Sequence, residues 1–167
     1  DHQEFDNPRK LTYPPTVFDF FAYGGIQRPV RLVRLGEKYL KDIKIDTDIQ
    51  GEEGIVKLNA MFNQIGENDN VQITLLDDDN KLFQKYYQPE KGEIRGEFKI
   101  DNCTFWTPDN PYLYKLDIQL YEDDELVDEY IQKFGVRTVD IDNGNLFLNG
   151  EPIFLKGFVK HEHFPVL

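Results

Sequence analysis

Two short stretches of this sequence could bind a metal ion: a run of three aspartates and a His-Glu-His triplet. Residues 77–79 are aspartates, but a helix–loop–helix calcium site needs a glutamate at its twelfth position, and here that position is Gln88. The triplet at 161–163 is too compact to present two histidines on one helix face, as His-Glu-x-x-His does. The sequence therefore predicts a solvated turn at 77–79 and no metal site.

The single cysteine, Cys103, cannot form an internal disulfide. No histidine or lysine lies beside it to lower the pKa of its thiol, since its neighbours are Asn102, Thr104 and Phe105. We therefore interpret Cys103 as a small structural hydrophobe and not as a nucleophile. The lack of a disulfide is compatible with a cytoplasmic location, which we favour.

The formal net charge of −12 is unevenly distributed along the chain. Residues 1–36 hold five basic and four acidic side chains, a sum of +1, so the remainder sums to −13. Such an acidic surface repels nucleic acid and anionic membranes, which excludes both as expected partners. No apolar run approaches the roughly 20 residues that span a bilayer. The simplest role for the charge is solubility.

The elements that would position any site are β-strands. From residue 39 onward, apolar residues alternate with polar ones, which is typical of half-buried antiparallel strands. The apolar positions include Val56, Leu58, Ala60, Val71, Ile73, Leu75, Leu116, Ile118 and Leu120, while Lys57, Gln72, Thr74 and Gln119 are expected to face water. Turns are predicted at 51–54, 66–70, 77–80, 122–125 and at Asn149–Gly150, the last joining 146–148 to 153–155. About seven strands predict an all-β, immunoglobulin-like sandwich.

The two ends of the chain differ from the middle. Residues 1–36 contain four prolines and the pair Gly24–Gly25, which predicts mostly loop followed by one strand at 30–35. Residues 155–159 (LKGFV) predict the start of a buried strand. Neither end has enough apolar residues to form a core of its own, so we expect both to be parts of neighbouring modules.

Residues 106–112 predict a sharp turn. Pro108 and Pro111 fix φ, and the side chains of Asp109 and Asn110 are expected to bond nearby backbone amides. We interpret Trp106 as a core aromatic that closes the end of the sandwich, in preference to a sugar-stacking platform.

Four segments, in this order and spacing, resemble family 2 glycoside hydrolases, most closely the β-glucuronidases, with the β-galactosidases next. The segments are 19–30 (DFFAYGGIQRPV), 106–114 (WTPDNPYLY), 134–139 (FGVRTV) and 147–162 (FLNGEPIFLKGFVKHE). The resemblance implies three parts: 1–36, the end of a sugar-binding jelly roll; 37–140, the sandwich; and 141–167, a hairpin and first strand leading into a catalytic TIM barrel.

The chemistry that the resemblance implies is retaining hydrolysis of a β-glycoside by two glutamates, with no cofactor. Those glutamates lie in late barrel strands, so no catalytic residue is expected in this chain and it is expected to be inactive alone. Two positions match residues that line the family's sugar pocket, Asp19 and His161. Asp19 would accept hydrogen bonds from sugar hydroxyls, and His161 would lie at the end of the first barrel strand.

The motif residues point to two substrate classes. His163 is closer to the β-galactosidase pattern, whereas residues 20–23 (FFAY) favour a glucuronidase, towards which we lean. The expected partners are the jelly roll and barrel of the same enzyme, its β-glycoside substrate and further copies in a homo-oligomer. The alternative from another class is an independent carbohydrate-binding or adhesion sandwich, for which Phe83, Tyr86 and Tyr87 are the adjacent candidate platforms.

Overall fold

A computed structural model describes Ile26 and residues 29–159 of the chain. The chain divides into two units, and the first of them, Val33–Leu155, is compact and lies wholly within the described residues. Every strand within the described ranges lies in the first unit: β1 (Leu40–Gln50), β2 (Glu53–Phe62), β3 (Asp69–Asp77), β4 (Asn80–Tyr87), β5 (Glu93–Ile100), β6 (Tyr114–Glu122), β7 (Glu125–Phe134), β8 (Val139–Asp142), β9 (Asn145–Leu148) and β10 (Glu151–Pro152).

The first seven strands form the predicted all-β sandwich. One sheet has three strands in the order β1-β2-β5, and the other has four in the order β4-β3-β6-β7, with all pairs antiparallel. Strands β8, β9 and β10 form a separate small antiparallel sheet, in the order β10-β9-β8. The part of the chain that the structure describes contains no helix long and apolar enough to cross a membrane.

The core lies between the two large sheets and is built from the alternating apolar positions. Its fully buried side chains include Val56 of β2, Ile73 of β3 and Leu116 of β6. The rings of Phe83 and Phe98 meet across the sheets with centroids 5.1 Å apart. Burying this apolar surface is the main stabilising contribution to the fold.

The predicted turns form where short polar residues adopt left-handed backbone. Asp78 lies in the β3–β4 turn with φ 51°, and Asp123 and Asp124 lie in the β6–β7 turn with φ 48° and 66°. Asn149 and Gly150 both have positive φ, 53° and 79°, as a type I′ turn requires. These hairpin predictions are confirmed.

Two predictions about the chain ends are wrong. Residues 30–35 form no strand, and Val30, Leu32, Val33 and Leu35 are exposed. Residues 155–159 form no strand either, and Phe158 and Val159 are exposed. Neither segment has a partner strand among the described residues, and a strand needs one for its backbone hydrogen bonds.

Two finer predictions also need correction. The strand after the Asn149–Gly150 turn is β10, not 153–155, although the N–H of Ile153 still bonds the carbonyl of Leu146 (2.9 Å). Thr74 was expected to face water, yet it is only 7% exposed. It lies in register with Gln84 on one neighbouring strand and Asp117 on the other, and these longer side chains flank it.

The chain enters and leaves the sandwich at opposite ends. Leu40 at the start of β1 pairs with Phe62 at the end of β2, and Asp69 at the start of β3 pairs with Glu122 at the end of β6. Phe134 at the end of β7 pairs with Tyr114 at the start of β6, which is the other end. The points where the chain enters and leaves are therefore separated by the full length of the strands.

Candidate functional site

Both sequence-predicted sugar-binding residues, Asp19 and His161, lie outside the described residues. The triplet at 161–163 also lies outside them. The roles of these residues therefore remain predictions.

Three of the four motif segments meet where the chain leaves the sandwich, and we call this contact the Trp106 clamp. The N–H of Trp106 donates to the carbonyl of Val136 (2.9 Å). The N–H of Asn149 donates to the carbonyl of Thr138 (3.0 Å), and the Asn149 side chain accepts from the N–H of Thr138 (3.0 Å). The same side chain donates to the carbonyl of Trp106 (3.1 Å). One asparagine thus joins the loop before β6, the segment after β7 and the β9–β10 turn.

Close packing completes the Trp106 clamp. The guanidinium of Arg137 lies 4.5 Å from the centre of the Trp106 ring, a cation–π contact. A Cβ on Gly135 would lie 2.8 Å from the Trp106 Cβ, so only glycine permits this approach. Arg137 therefore covers one face of the Trp106 ring, and Gly135 packs against the Cβ of Trp106. This arrangement supports a structural role for Trp106 and opposes a sugar-stacking one.

The turn between Trp106 and β6 is held differently from the prediction. The hydroxyl of Thr107 accepts from the N–H of Asn110 (3.0 Å), and the carbonyl of Asn110 accepts from the N–H of Thr107 (3.0 Å). The sequence instead predicts that the side chains of Asp109 and Asn110 bond the backbone amides of this turn. The hydroxyl of Tyr112 bonds the carboxylate of Asp77, and this bond raises the pKa of Tyr112 to about 12. The turn is thereby attached to the end of β3.

The opposite end of the sandwich carries a second group, which we call the Lys38 clamp. The ammonium of Lys38 contacts the carboxylates of Asp69 (2.8 Å) and Glu122 (2.6 Å). Asp69 is 2% exposed and also accepts from the N–H of Gly66 (2.6 Å). The side chain of Asn63 accepts from the N–H of Tyr39 (2.7 Å). The point where the chain enters is therefore tied to β3, β6 and the loop after β2.

The electrostatics of the Lys38 clamp follow from these contacts. Burial by itself raises the pKa of Asp69, but the Gly66 N–H and the Lys38 ammonium outweigh it and hold the pKa below its usual value. The pKa of Lys38 is raised by its hydrogen bonds to Asp69 and Glu122. Both charged forms are stabilised at neutral pH.

An acid titration should expose the contribution of Asp69. Its folded pKa lies below the ordinary 3.8, so its stabilisation is present above that pH and is lost as the pH falls through the folded value. We expect Asp69→Asn to lower the free energy of unfolding by about 1.5 kcal/mol at pH 7, because the charge-assisted bond to Lys38 is lost. Urea unfolding at pH 7, 4 and 2 should show this difference shrinking below pH 3.8.

The matched control is Glu125→Gln, which removes an exposed carboxylate at the same end of the sandwich. It should change stability by less than about 0.5 kcal/mol. A difference between Asp69→Asn and the wild type that is as large at pH 2 as at pH 7 would contradict the assignment.

Neither a metal site nor a reactive thiol emerges from the described residues. Among them no group of three or more His, Cys, Asp or Glu side chains could hold a metal ion. Cys103 packs against the core, and burial raises the pKa of its thiol, so the thiolate is disfavoured. These observations agree with the interpretation of Cys103 as structural.

The candidate aromatic platform is not formed. Phe83 and Tyr87 pack against the core, whereas Tyr86, on the opposite side of the same strand, is 61% exposed. The hydroxyl of Tyr86 donates to the side chain of Gln72 (2.6 Å). One exposed ring is a poor surface for stacking successive sugars, so this face gives little support to an independent carbohydrate-binding module.

The Lys38 clamp was missed by the sequence reasoning, which assigned Glu122 only to a charged turn. Asp69 and Glu122 lie 31 and 84 residues from Lys38 in the sequence, so no local pattern indicates that these three charged side chains meet. The bridging role of Asn149 was also missed. Its Asn-Gly turn signal was visible, but the signal carried no information about what the side chain would reach.

A known family model matches the part of the chain that lies between the two clamps. The family model described as "Glycosyl hydrolases family 2" matches residues 38–137. That range begins at the lysine of one clamp and ends at Arg137, which covers the Trp106 ring of the other.

Several relatives match most of this chain. A "Beta-glucuronidase" from Paenibacillus borealis is 38% identical over 86% of this chain, and a "Beta-galactosidase" from Thermoanaerobacter pseudethanolicus is 31% identical over 97% of it. The chain spans only 23% of the length of each of these curated relatives. A solved structure of a β-glucuronidase from Ruminococcus gnavus in complex with D-glucuronic acid matches 74% of this chain and 20% of its own, with a TM-score of 0.64 and 30% identity.

Proposed function

Because the chain belongs to glycosyl hydrolases family 2, we propose that it is the non-catalytic spacer of a longer retaining β-glycosidase. In this proposal residues 37–140 are the sandwich, 1–36 end a sugar-binding jelly roll, and 141–167 begin the catalytic barrel. The main support for this proposal is that side-chain contacts fix both ends of the sandwich and that the family match runs from one clamp to the other. A spacer fixed at both ends can hold a binding loop in register with a catalytic centre.

The physical reason for such a spacer is positional accuracy. Hydrolysis of a glycoside needs the sugar, the acid and the nucleophile aligned within fractions of an ångström, and a misplacement of about 1 Å can cost about 10²-fold in rate. In the proposed enzyme Asp19 would reach the sugar from the jelly roll, and His161 would line the pocket from the barrel. The sandwich would set the distance between the two modules that carry them.

We propose a β-glucuronide as the substrate and a β-galactoside as the alternative. The relatives named β-glucuronidase and the R. gnavus structure with D-glucuronic acid support the first. The relative named β-galactosidase, which matches 97% of this chain, supports the second. The intact enzyme is further proposed to be a homo-oligomer that needs no cofactor.

The proposal is tested by comparing the 167-residue chain with the intact protein on chromogenic β-glucuronide and β-galactoside. The intact protein should hydrolyse the glucuronide with a kcat/KM about 10⁴-fold higher than that for the galactoside. Such a ratio is typical of a site that hydrogen-bonds a group present on one substrate and missing from the other. The isolated chain should show no turnover. Turnover by the isolated chain would overturn the spacer role, and preference for the galactoside would select the alternative substrate.

A further inference from the structure

The small sheet formed by β8, β9 and β10 contains two asparagine–glycine turns with almost the same backbone. Asn143 and Gly144 join β8 to β9 with φ 48° and 78°, and Asn149 and Gly150 join β9 to β10 with φ 53° and 79°. These are the two places in the sequence where glycine follows asparagine. Any chemical difference between the two turns must therefore come from the surroundings of the asparagine side chains.

The side chain of Asn149 is held at both of its polar atoms. Its oxygen accepts from the N–H of Thr138 (3.0 Å), and its nitrogen donates to the carbonyl of Trp106 (3.1 Å). The residue is half-buried in the Trp106 clamp. Rotation of this side chain would therefore break two partly buried hydrogen bonds at once.

The side chain of Asn143 is exposed and weakly held. Its one hydrogen bond to a described residue runs from the side-chain nitrogen to the carboxylate of the adjacent Asp142 (3.2 Å). Apart from the two chain neighbours of Gly144, no described atom lies within 4 Å of the position that a Cβ on this glycine would take. Rotation of the Asn143 side chain therefore breaks a single solvent-exposed hydrogen bond, and there is open space beside the turn.

We propose that Asn143 is a site of spontaneous deamidation and that the Trp106 clamp protects Asn149 from the same reaction. The backbone nitrogen of Gly144 attacks the side-chain carbonyl carbon of Asn143, and a C–N bond forms between them. The side-chain nitrogen leaves as ammonia and takes the proton of the attacking nitrogen, which gives a cyclic succinimide. Water then adds to one of the two ring carbonyls and opens the ring, so that either aspartate or isoaspartate remains at position 143.

The local structure favours this reaction at the β8–β9 turn. Glycine has no Cβ to shield its nitrogen, and its backbone adopts many conformations. Ring closure requires the backbone to rotate out of the hairpin turn, so it depends on local opening. Strands β8 and β9 have four residues each, and every residue of β8 is exposed. Such a hairpin, with few buried contacts, opens at a low cost in free energy.

The modification would change the β8–β9 hairpin. Either product replaces a neutral amide by a carboxylate beside Asp142, in a chain whose net charge is already −12. Isoaspartate also carries the main chain through the side-chain carbon, which lengthens the turn by a methylene group. The pairing of Asp142 with Asn145 depends on the length of this turn. Aged protein should therefore have a weaker β8–β9 hairpin than fresh protein.

The test is incubation of the chain in mildly alkaline buffer, followed by mass spectrometry of the two peptides, with a parallel sample unfolded in urea. The fluorescence of Trp106 checks that the first sample stays folded. In urea the two asparagines should react at similar rates, because glycine follows both. In the folded chain we expect Asn149 to react about tenfold more slowly than Asn143, since its two hydrogen bonds must break first. Labelling by an isoaspartyl methyltransferase then separates isoaspartate from aspartate.

Two variants test the cause of the difference. Asn143→Gln keeps an exposed amide but would have to close a larger, less favourable ring, so it should abolish the reaction at 143 and leave the rate at Asn149 unchanged. Gly135→Ala places a Cβ against Trp106 and should raise the rate at Asn149 towards its value in urea.

The wild-type comparison decides the proposal even if a variant fails to fold. Equal rates at the two asparagines in the folded chain would overturn protection by the clamp. No reaction at Asn143 during a period in which the unfolded chain reacts completely would overturn the modification site. An unchanged rate at Asn149 in folded Gly135→Ala would show that the Trp106 clamp is not the source of the protection. None of these results depends on the proposed hydrolase activity.

Discussion

Replacing Tyr114 by alanine is expected to lower the free energy of unfolding by about 3–5 kcal/mol, as for other buried aromatic side chains. Tyr114 is 2% exposed at the start of β6. Its ring meets that of Tyr112 edge-on at 5.3 Å and that of Phe134 at 6.1 Å. Since small domains are stable by only about 5–15 kcal/mol, this one change removes much of the total.

The tyrosine hydroxyl contributes separately. It accepts a hydrogen bond from the N–H of Thr104 (2.9 Å), which holds the loop that leads to Trp106. Tyr114→Phe keeps the ring but leaves that N–H without its partner, so we expect a loss of about 1–3 kcal/mol. Both variants can be measured by urea unfolding followed through the fluorescence of Trp106, the single tryptophan of the chain.

Tyr86→Ala is the matched control, because it removes the same side chain from an exposed position on β4. It should cost less than about 1 kcal/mol. Should Tyr114→Ala unfold at the same urea concentration as Tyr86→Ala, the core assigned to this end of the sandwich would be wrong.

Gly135→Ala is expected to cost about 3 kcal/mol, at the upper end of the range for overpacking. The new Cβ would lie 2.8 Å from the Cβ and 2.9 Å from the Cγ of Trp106, well inside van der Waals contact. The Cβ of Trp106 cannot move away, because the backbone N–H of Trp106 donates to the carbonyl of Val136 and the guanidinium of Arg137 lies against the ring. The strain should therefore open the Trp106 clamp.

The readout of Gly135→Ala separates local from global damage. A shifted Trp106 emission in the folded variant, together with faster exchange of the β8 and β9 amides, would show that the clamp opened. Gly36→Ala is the control, since its Cβ would make only ordinary contacts at 3.4 and 3.8 Å. Indistinguishable stabilities for the two variants would show that Gly135 is not needed for the close approach.

Most of the sandwich could be predicted because its pattern is local. Alternation at Val71, Ile73 and Leu75 fixes which side of β3 is buried, and short polar residues such as Asp78 and Asn149 fix where hairpins turn. The predictions fail where burial or strand formation depends on adjacent strands and not on the local sequence. Thr74 is buried because two adjacent strands bring longer side chains alongside it. Residues 30–35 have strand-like composition but find no partner strand within residues 29–159.

The two clamps lie between these extremes. The turn at Pro108, the Asn149–Gly150 hairpin and the position of Trp106 at the end of the sandwich could each be predicted, but the hydrogen bonds that join them could not. Lys38, Asp69 and Glu122 carried no local signal, because only strand pairing brings them together. The assignments of Asp19 and His161 rest on resemblance alone and remain predictions.

The separation of the two clamps has a consequence for how this module can vary. Seven antiparallel passes are an odd number, and an odd number delivers the chain to the far side; one strand more or fewer would return it to the side where it started. Nine-residue strands such as β6 set the span at about 30 Å, from the rise of about 3.4 Å per residue. Homologous modules should therefore differ freely in hairpin length, while the parity of their strand count and the length of the central strands stay fixed.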